Sequence, residues 1–285
     1  MITFIVLNYM DYFETMETVK EILNLDGAKN IVIVDNGSPN DSYRKLQEFS
    51  CDYKMITVLK IHKNLGFAKG NNVGYRYAVK ELCSKFVVVL NSDIRIDQKD
   101  LIYRISRSYR KYSFDIMGPD IVTISNEKHQ NPLDWDMPSI KQLQRKINIL
   151  NVKILLRPMY WIRWNLFGFI NKKRKIQNVY SHRIESSRIN VPLHGSFYVF
   201  SPAFIELNQE ACFYEKTFMY MEAQILYWQA QKKHYTLVYD PEIVVHHVDD
   251  ASTDMTFTNR YKKAMFSNKA LLQSTKVFIE LMRGE

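Results

Sequence analysis

Residues 86–93 constrain the fold of this chain more than any other stretch, because five apolar residues run directly into Asn91, Ser92 and Asp93. A continuous apolar run of this length predicts a strand that is buried on both faces. In an open α/β sheet, ligands bind at the carboxyl edge of the strands. A carboxylate at that edge, such as Asp93, can bind a divalent cation, which can in turn bind a diphosphate. Taken alone, the stretch is equally compatible with a strand that ends in an Asx-type turn without any chemistry.

Strands and helices alternate on both sides of this stretch. The periodicity predicts further strands at residues 2–7, 30–34, 56–61 and 114–118, and helices at 13–25, 41–49, 70–82 and 97–112. This alternation favours βαβ units with right-handed crossovers. We therefore expect an α/β fold with a mostly parallel central sheet flanked by helices.

The overall composition is that of a globular protein. A length of 285 residues predicts one large domain, alone or with an appendage. Cys51, Cys83 and Cys212 are odd in number and widely spaced, which fits neither a disulfide framework nor a zinc site and indicates a reducing compartment, the cytoplasm. The first residues have no basic region and soon reach a polar residue, so we expect no signal peptide. The absence of a long uncharged apolar run argues against a membrane-spanning helix.

The positive charge of the chain is concentrated in one segment. Residues 141–188 contain twelve Lys or Arg and a single acid, Glu185, although the net charge of the whole chain is only +9. This argues against a general nucleic-acid binder. Within residues 147–176 the cations alternate with large apolar residues, including Trp161 and Trp164, which suits peripheral contact with the inner face of the cell membrane. The alternatives are an amphipathic helical insertion packed on the protein's own core, or contact with an acceptor diphosphate or an assembly protein.

Two further polar stretches precede Asp93 in the chain. Asp35 follows the second predicted strand and should lie at the same edge of the sheet as Asp93. Residues 64–74 contain glycines at every fourth position, Gly66, Gly70 and Gly74. This spacing matches neither the dinucleotide fingerprint nor the P-loop. Gly66 and Gly70 would allow a tight backbone approach before a helix begins, or the stretch is simply a glycine-rich turn.

Taken in order, four of these stretches resemble the inverting glycosyltransferases of family 2, which have the GT-A fold. The similar pieces are residues 5–9, 34–38, 64–74 and 90–93. The set is most similar to bacterial rhamnosyltransferases and capsular polysaccharide transferases. The resemblance implies that Asp35 binds the pyrimidine of a nucleotide sugar and that Asp93 holds a Mg²⁺ or Mn²⁺ ion bridging its phosphates. The full set of donor-binding residues implied in this way is Asn8, Asp35, Asn36, Asn64, Gly66, Lys69, Asn71, Asn91 and Asp93.

The second half of the chain continues the resemblance. His194 and Gly195 resemble the acceptor-side turn of the family, and Glu222 lies in a segment similar to the one that carries the catalytic base. His247 is implied as a second metal ligand, with Asp249 and Asp250 as secondary candidates. In the family the base segment usually has two consecutive acids, but here Ala223 follows Glu222.

These observations lead to a specific architecture and function. We expect a nucleotide-sugar-binding half at 1–120, an acceptor-side half at 121–259 with a basic helical insertion at 140–188, and a C-terminal helix at 260–285. The expected reaction moves a sugar from a dTDP-rhamnose or UDP-sugar donor to a hydroxyl of a glycan or lipid-linked acceptor in bacterial surface polysaccharide synthesis. Because the second acid is missing, an alternative function stays open: a catalytically silent sugar-nucleotide-binding scaffold subunit of a membrane polysaccharide assembly. A nucleotidyltransferase is disfavoured because residues 7–12 contain neither a glycine nor a cation.

Overall fold

The computed structural model of the chain describes residues 1–156, 183–248 and 260–284, and its strands form one sheet. The strand order is β3-β2-β1-β4-β8-β6-β9-β5, with β7 paired to β9. The strands are β1 (Ile2–Asn8), β2 (Lys29–Asn36), β3 (Ile56–Ile61), β4 (Phe86–Asn91), β5 (Ile94–Arg95), β6 (Ile116–Thr123), β7 (Arg188–Ile189), β8 (Phe197–Phe200) and β9 (Leu237–His247).

The helices lie between these strands and at the C-terminal end of the described chain. They are α1 (Tyr12–Leu23), α2 (Ser42–Ser50), α3 (Phe67–Lys80), α4 (Leu101–Tyr112), α5 (Ile140–Leu155), α6 (Pro202–Leu207), α7 (Glu222–Lys232) and α8 (Arg260–Gly284). The described part of the chain contains no helix with both the length and the apolar character that a membrane span requires.

The first four long strands are parallel, and their register brings the polar strand ends together. β1 pairs with β2 on one side and with β4 on the other. In this register Asn8 lies beside Asp35, and Leu7 lies beside Asn91. The remaining strands make the sheet mixed, because β8 runs antiparallel to both β4 and β6. The side chains that end β1, β2 and β4 therefore meet at one edge.

Both faces of the sheet are buried, as the apolar runs predict. Phe4 and Val6 of β1 pack in one cluster with residues of α1 and α4, whereas Ile5 packs on the opposite face with Tyr75 and Ala78 of α3. Alternate residues of a strand point to opposite faces, so a strand that is covered on both faces must be apolar throughout. The result is three layers, with the sheet between helices.

A third apolar cluster joins the last two long helices to α5. Leu143 and Ile147 of α5 contact Ile225 of α7 and Phe278 of α8, and Met221 immediately before α7 belongs to the same cluster. Ile147 and Ile225 are both nearly inaccessible to solvent. The C-terminal helix α8 therefore packs against the start of α7.

The predicted α/β fold is confirmed, with differences at particular boundaries. The sequence predicts that the third helix begins at Gly70, but α3 begins at Phe67, so the expectation that Gly70 precedes the helix is wrong. The physical reason is that Gly66, with φ of 83°, turns the chain and leaves Gly70 in the first turns of the helix. The fourth helix begins at Leu101 rather than at residue 97.

The predicted insertion and tail are described only in part. α5 gives helical structure to the first part of the basic insertion, and α8 confirms the C-terminal helix. Most of the segment for which we predict membrane contact, residues 157–176, lies outside the described residues, as do Asp249 and Asp250. The division into a donor half and an acceptor half stays a prediction.

Candidate active site

The carboxylate of Asp93 lies just beyond the end of β4 and is almost completely buried, at 4% exposure. The turn that carries it is held by α1, because the Thr18 hydroxyl donates to the carbonyl oxygens of Ser92 and Ile94 at 2.7 and 3.0 Å. The Nε2 atom of His247, at the end of β9, lies 3.2 Å from Asp93 Oδ1. Among the described residues, however, Asp93 Oδ1 has no hydrogen-bond partner of acceptable geometry.

A hydrogen bond on the far side of the His247 ring sets which nitrogen faces Asp93. His247 Nδ1 lies 2.8 Å from Oε1 of Gln130. An amide oxygen can only accept, so Nδ1 carries the proton, and in the neutral ring Nε2 presents a lone pair. The Asp93 oxygen and the His247 nitrogen then approach each other as two acceptors, an arrangement that a cation between them would stabilise.

His194 completes this group from the turn before β8. Its ring centroid lies 5.9 Å from that of His247, and its Nδ1 lies 2.9 Å from the Ser196 hydroxyl. Burial, with the neighbouring His247 ring as a smaller contribution, lowers the pKa of His194 to about 4. His194 is therefore neutral at pH 7 and can accept or donate a hydrogen bond without adding charge.

A second polar cluster lies at the ends of β1 and β2. Asn8 Nδ2 donates to Asp35 Oδ1 at 2.7 Å, and the Thr15 hydroxyl donates to Asn8 Oδ1 at 2.9 Å. Asp35 Oδ2 also accepts from the backbone N–H of Ser38 at 3.3 Å. Both Asn8 and Asp35 are buried. These bonds fix the Asp35 carboxylate at the end of β2.

Two asparagines fold the loop between β3 and α3. Asn36 accepts from the N–H of Leu65 at 2.9 Å and donates to the Gly66 carbonyl at 3.1 Å. Asn64 Oδ1 accepts from the N–H of Gly66 at 2.8 Å and from Asn36 Nδ2 at 3.2 Å. A Cβ at Gly66 would collide with the Phe218 carbonyl. These two predicted donor residues thus shape the loop with their side chains.

The same loop contacts the segment that carries Glu222. The N–H of Phe67, the first residue of α3, donates to the Phe218 carbonyl at 2.8 Å. Tyr220 and Met221 follow with φ values of 71° and 72°, a backbone conformation that is unfavourable for residues other than glycine. Glu222 is then the first residue of α7. The start of α3, which follows the predicted donor loop, is therefore hydrogen-bonded to the segment that leads to the predicted base.

Glu222 is a carboxyl group whose pKa is raised by its surroundings. Burial raises the pKa of Glu222 to about 7, although backbone N–H groups at the helix start and the Thr217 hydroxyl, at 3.3 Å from Oε1, act in the opposite direction. A carboxylate with a pKa near the working pH accepts a proton more readily than an ordinary glutamate. Burial accounts for the shift without a second acid, so the Ala223 departure does not remove this property.

The remaining predicted site residues are distributed unevenly. Asn71 is buried, donates to the Phe67 carbonyl at 3.0 Å, and within the described part of the chain its Oδ1 has no partner. Asn91 ends β4, where its N–H donates to the Ser196 carbonyl at 2.9 Å. Lys69 instead lines a separate cavity of about 750 Å³ on the outer side of α3. At Gly195 a Cβ would meet nothing within 4 Å, so packing does not require a glycine there.

The structure also shows polar residues to which the sequence assigns no role. Gln130 is one of them, and only its contact with His247 reveals what it does. Asp120, in the interior of β6, is buried beside His129 Nδ1 at 2.8 Å and Arg183 Nε at 3.4 Å. Neither pairing has a local sequence signal, because each partner comes from a different element of the tertiary structure.

The residues present fit a divalent cation only as part of a larger coordination shell. The described residues contain no group of three or more His, Cys, Asp or Glu side chains that could hold a metal by themselves. Asp93 and His247 offer one oxygen and one nitrogen, and Mg²⁺ or Mn²⁺ commonly takes its other ligands from water and substrate phosphates. The unbonded oxygen of Asp93 is the observation that favours this fit.

Comparisons with known proteins identify the family and the fold. The chain is 30% identical over 124 residues to the low-salt glycan biosynthesis hexosyltransferase Agl10 of Haloferax volcanii, a match that covers 42% of this chain and 36% of Agl10. The chain thus spans roughly a third of the length of that curated relative.

Two solved structures share the fold. The S. aureus TarS 1-349 structure in complex with UDP-GlcNAc has a TM-score of 0.54 at 12% identity and covers 96% of this chain and 66% of that one. The mannosyltransferase PcManGT from Pyrobaculum calidifontis, in complex with GDP-Man and Mn²⁺, has a TM-score of 0.54 at 12% identity and covers 98% and 73%. At these identities the likeness establishes the GT-A fold alone. The family model described as Glycosyl transferase family 2 matches residues 3–189, more than half of the chain, which therefore belongs to glycosyl transferase family 2.

Proposed function

We propose that this chain is an inverting glycosyltransferase that moves a sugar from a nucleoside-diphosphate donor to a hydroxyl of a glycan or lipid-linked acceptor. The observation that carries the proposal is the buried Asp93 carboxylate, whose free oxygen faces His247 at the edge where β1, β2 and β4 end. The N–H of Phe67 at the start of α3 donates to the carbonyl of Phe218, four residues before Glu222, which supports a base segment close to the donor loop.

The chemistry follows from the positions of these residues. Asp35, held by Asn8, binds the base ring of the donor, and the loop folded by Asn36 and Asn64 lies next to it. Glu222 accepts the proton of the acceptor hydroxyl as that oxygen attacks the anomeric carbon and the bond to the diphosphate breaks in line. A Mg²⁺ or Mn²⁺ ion held by Asp93 and His247 would supply charge stabilisation for the departing diphosphate.

The finer assignments are also proposals. The resemblance favours dTDP-rhamnose, with UDP-linked hexoses next, and a role in bacterial surface polysaccharide synthesis. Several neighbours bind nucleotide sugars, namely UDP-GlcNAc in TarS and GDP-Man together with Mn²⁺ in PcManGT. These complexes support a nucleotide-sugar donor and a divalent metal for this chain but do not choose the sugar.

Peripheral membrane contact through residues 147–176 is supported by the exposed apolar side chains on α5. Ile149, Val152 and Leu155 are 55%, 53% and 78% exposed and lie within the basic segment. Apolar side chains beside cations are typical of segments that bind anionic bilayers. We expect the protein to sediment with phosphatidylglycerol vesicles and not with phosphatidylcholine vesicles. Equal sedimentation with both, or with neither, would contradict this contact.

A donor-binding titration tests the proposed function. The thermal unfolding midpoint is measured with UDP, dTDP, GDP or ADP, each with and without Mn²⁺, for the wild type and for Asp93→Asn. A ligand that binds only the native state at a hundredfold its Kd adds about 2.7 kcal/mol of stability, which such a titration detects. We expect a Mn²⁺-dependent increase for one pyrimidine diphosphate that Asp93→Asn loses.

Asp97→Asn provides a matched control for this titration. Asp97 lies 3.2 Å from His246, which resembles the pairing of Asp93 with His247, but its side chain is 80% exposed. The control should therefore behave like the wild type. If no diphosphate stabilises the wild type, or if Asp93→Asn retains the full effect of Mn²⁺, the donor site is assigned wrongly.

The second candidate function is a catalytically silent sugar-nucleotide-binding scaffold subunit, which Ala223 favours. It predicts donor binding without release of nucleoside diphosphate when an acceptor is present. The raised pKa of Glu222 supports the enzyme instead.

A further inference from the structure

We propose that an open cavity at the start of α7 is the acceptor subsite and that it takes a sugar bearing an anionic oxygen group, either a phosphate or a carboxylate. This inference rests on the proposed glycosyl transfer and names the class of acceptor. The cavity has a volume of about 270 Å³ and lies between α5, the segment before it and the start of α7. Its lining residues are Trp135, Asp136, Pro138, Gln142, Leu143, Lys146, Met221 and Gln224.

The position of the cavity connects it to the proposed base. Met221 precedes Glu222 directly, and Gln224 follows it by two residues on the first turn of α7. Met221 is held in place by the apolar cluster that α5, α7 and α8 share. A ligand in this cavity would therefore lie against the start of α7, the helix whose first residue is the proposed base. A volume of about 270 Å³ is at the small end of ligand pockets and suits one sugar ring.

Lys146 is the cation of the cavity and is partly buried, whereas Asp136, the carboxylate of the lining, is exposed to solvent. The Lys146 ammonium contacts the Met221 sulfur at 3.6 Å, which is a weak acceptor. Over residues 1–156, 183–248 and 260–284, no carboxylate lies within ion-pair distance of Lys146. Burial lowers the pKa of Lys146, and no neighbouring acid offsets this effect. A half-buried ammonium without a counter-charge is costly, and an anionic ligand would compensate it.

The other lining groups suit a hydroxyl-rich ligand. Gln142 uses its carbonyl oxygen to cap α5 through Ser139 at 2.8 Å, which leaves its NH₂ group as a donor. Gln224 and Asp136 add acceptors, and a sugar hydroxyl can both donate and accept. Trp135 provides an apolar wall whose orientation is set by Tyr227, with ring centroids 5.5 Å apart at an angle of 88°.

The cavity of about 750 Å³ beside α3 is less suited to binding an anionic ligand. It is also lined by cations, but Arg76 forms an ion pair with Glu215 at 2.9 Å, and Asn72 bonds the same glutamate at 3.1 Å. Arg76 is therefore already paired, whereas Lys146 has no ion-pair partner among the described residues.

The test follows the Trp135 indole signal by NMR of protein with labelled tryptophan, assigned with Trp135→Phe. The added probes are glucose 1-phosphate, glucuronic acid, methyl glucoside and inorganic phosphate. Lys146→Met removes the charge and keeps the length of the side chain. Lys141→Met is the matched control, because Lys141 is an exposed cation on the same helix. UDP with Mn²⁺ is titrated into every sample as the measure of the donor site.

We expect glucose 1-phosphate, glucuronic acid or both to shift the Trp135 signal. Lys146→Met should raise the Kd of the ligand that binds at least about tenfold, and Lys141→Met should leave that Kd unchanged. Binding of only one of the two identifies the anion as phosphate or carboxylate. The proposal is overturned if neither shifts the signal, if methyl glucoside or inorganic phosphate binds equally well, or if Lys146→Met has no effect. Normal UDP binding alongside such a result would reject the acceptor subsite alone, and loss of UDP binding in the wild type would reject the proposed function.

Discussion

At the scale of single residues, Glu222 lies where two electrostatic effects oppose each other. The start of a helix stabilises a carboxylate, because its free N–H groups and the helix dipole present positive charge. Burial has the opposite effect, and for Glu222 burial dominates and raises the pKa to about 7. Asp93 is also buried, but it is distinguished instead by an oxygen that lacks a hydrogen bond to any described residue. The two acids therefore differ in their surroundings, and we propose proton transfer for Glu222 and cation binding for Asp93.

Replacement of Glu222 by Gln should abolish turnover and leave donor binding intact. Gln keeps the oxygen that accepts from Thr217 but cannot take a proton from the acceptor. We expect a loss of at least about a hundredfold in kcat, measured as release of nucleoside diphosphate, with an unchanged thermal shift for the donor. Turnover near the wild-type rate would assign the base to another residue.

The stability of the protein should also depend on Glu222 as the pH changes. Since the folded-state pKa is about 7 and the ordinary value is 4.5, the folded protein holds this proton more tightly than the unfolded chain does. The stabilisation that comes from the bound proton is therefore present below pH 4.5 and is lost as the pH rises through 7. Urea unfolding at several pH values should show that wild type loses stability over this interval and that Glu222→Gln loses less. Parallel pH profiles for the two proteins would contradict the raised pKa.

At the scale of elements, Gly66, which precedes α3, allows the predicted donor loop to contact the segment that leads to Glu222. Gly66 has φ of 83°, and its N–H and carbonyl are both bonded by asparagine side chains. Any side chain there meets the Phe218 backbone, which cannot move without displacing the segment that leads to Glu222. The conformation of the loop therefore depends on the position of the segment that leads to Glu222.

Gly66→Ala should therefore destabilise the protein and lower activity together. Strain at positive φ and the collision with Phe218 predict a loss of about 3 kcal/mol in the free energy of unfolding. Gly195→Ala is the control, since a Cβ there meets nothing within 4 Å, and we expect it to change stability little. Chemical denaturation of the two variants measures the difference, and equal effects would refute this account of the loop.

At the scale of the whole molecule, the C-terminal helix stabilises the site although it lies far from it in sequence. The Ser274 hydroxyl of α8 donates to the Met219 carbonyl at 2.8 Å, and the Ser267 and Tyr220 hydroxyls are also 2.8 Å apart. Phe278 is fully buried against Trp228 of α7, with ring centroids 6.1 Å apart. α8 therefore fixes both the backbone before Glu222 and the helix after it.

Phe278→Ala should lower the free energy of unfolding by about 3–5 kcal/mol and reduce kcat, because it leaves a cavity behind α7. Phe13→Ala removes the same side chain where it is 65% exposed, so its effect should be much smaller. Denaturation and turnover of both variants are compared. If Phe278→Ala unfolds the protein, Ser274→Ala tests the same support with a milder change.

The pattern of residues predicted the order of strands and helices and the edge of the sheet at which we propose the site. Apolar runs such as 86–90 must be buried on both faces, and parallel strands place their ends at one edge, so the pattern of residues alone assigns Asp35 and Asp93 to that edge. The four ordered motifs added the family. These inferences succeed because they depend on local periodicity and on neighbours close in the chain.

Only the tertiary structure decided which side chains meet across that edge and what properties they acquire. Gln130 contacts His247, α8 supports Met219, and burial changes the pKa of Glu222, and each of these depends on packing between elements that are distant in sequence. Burial and hydrogen-bond geometry arise when the layers assemble, and no spacing of residue types encodes them. The sequence therefore identified the candidates, and the packing of the elements set the environment of each, as α5, α7 and α8 do at the start of α7.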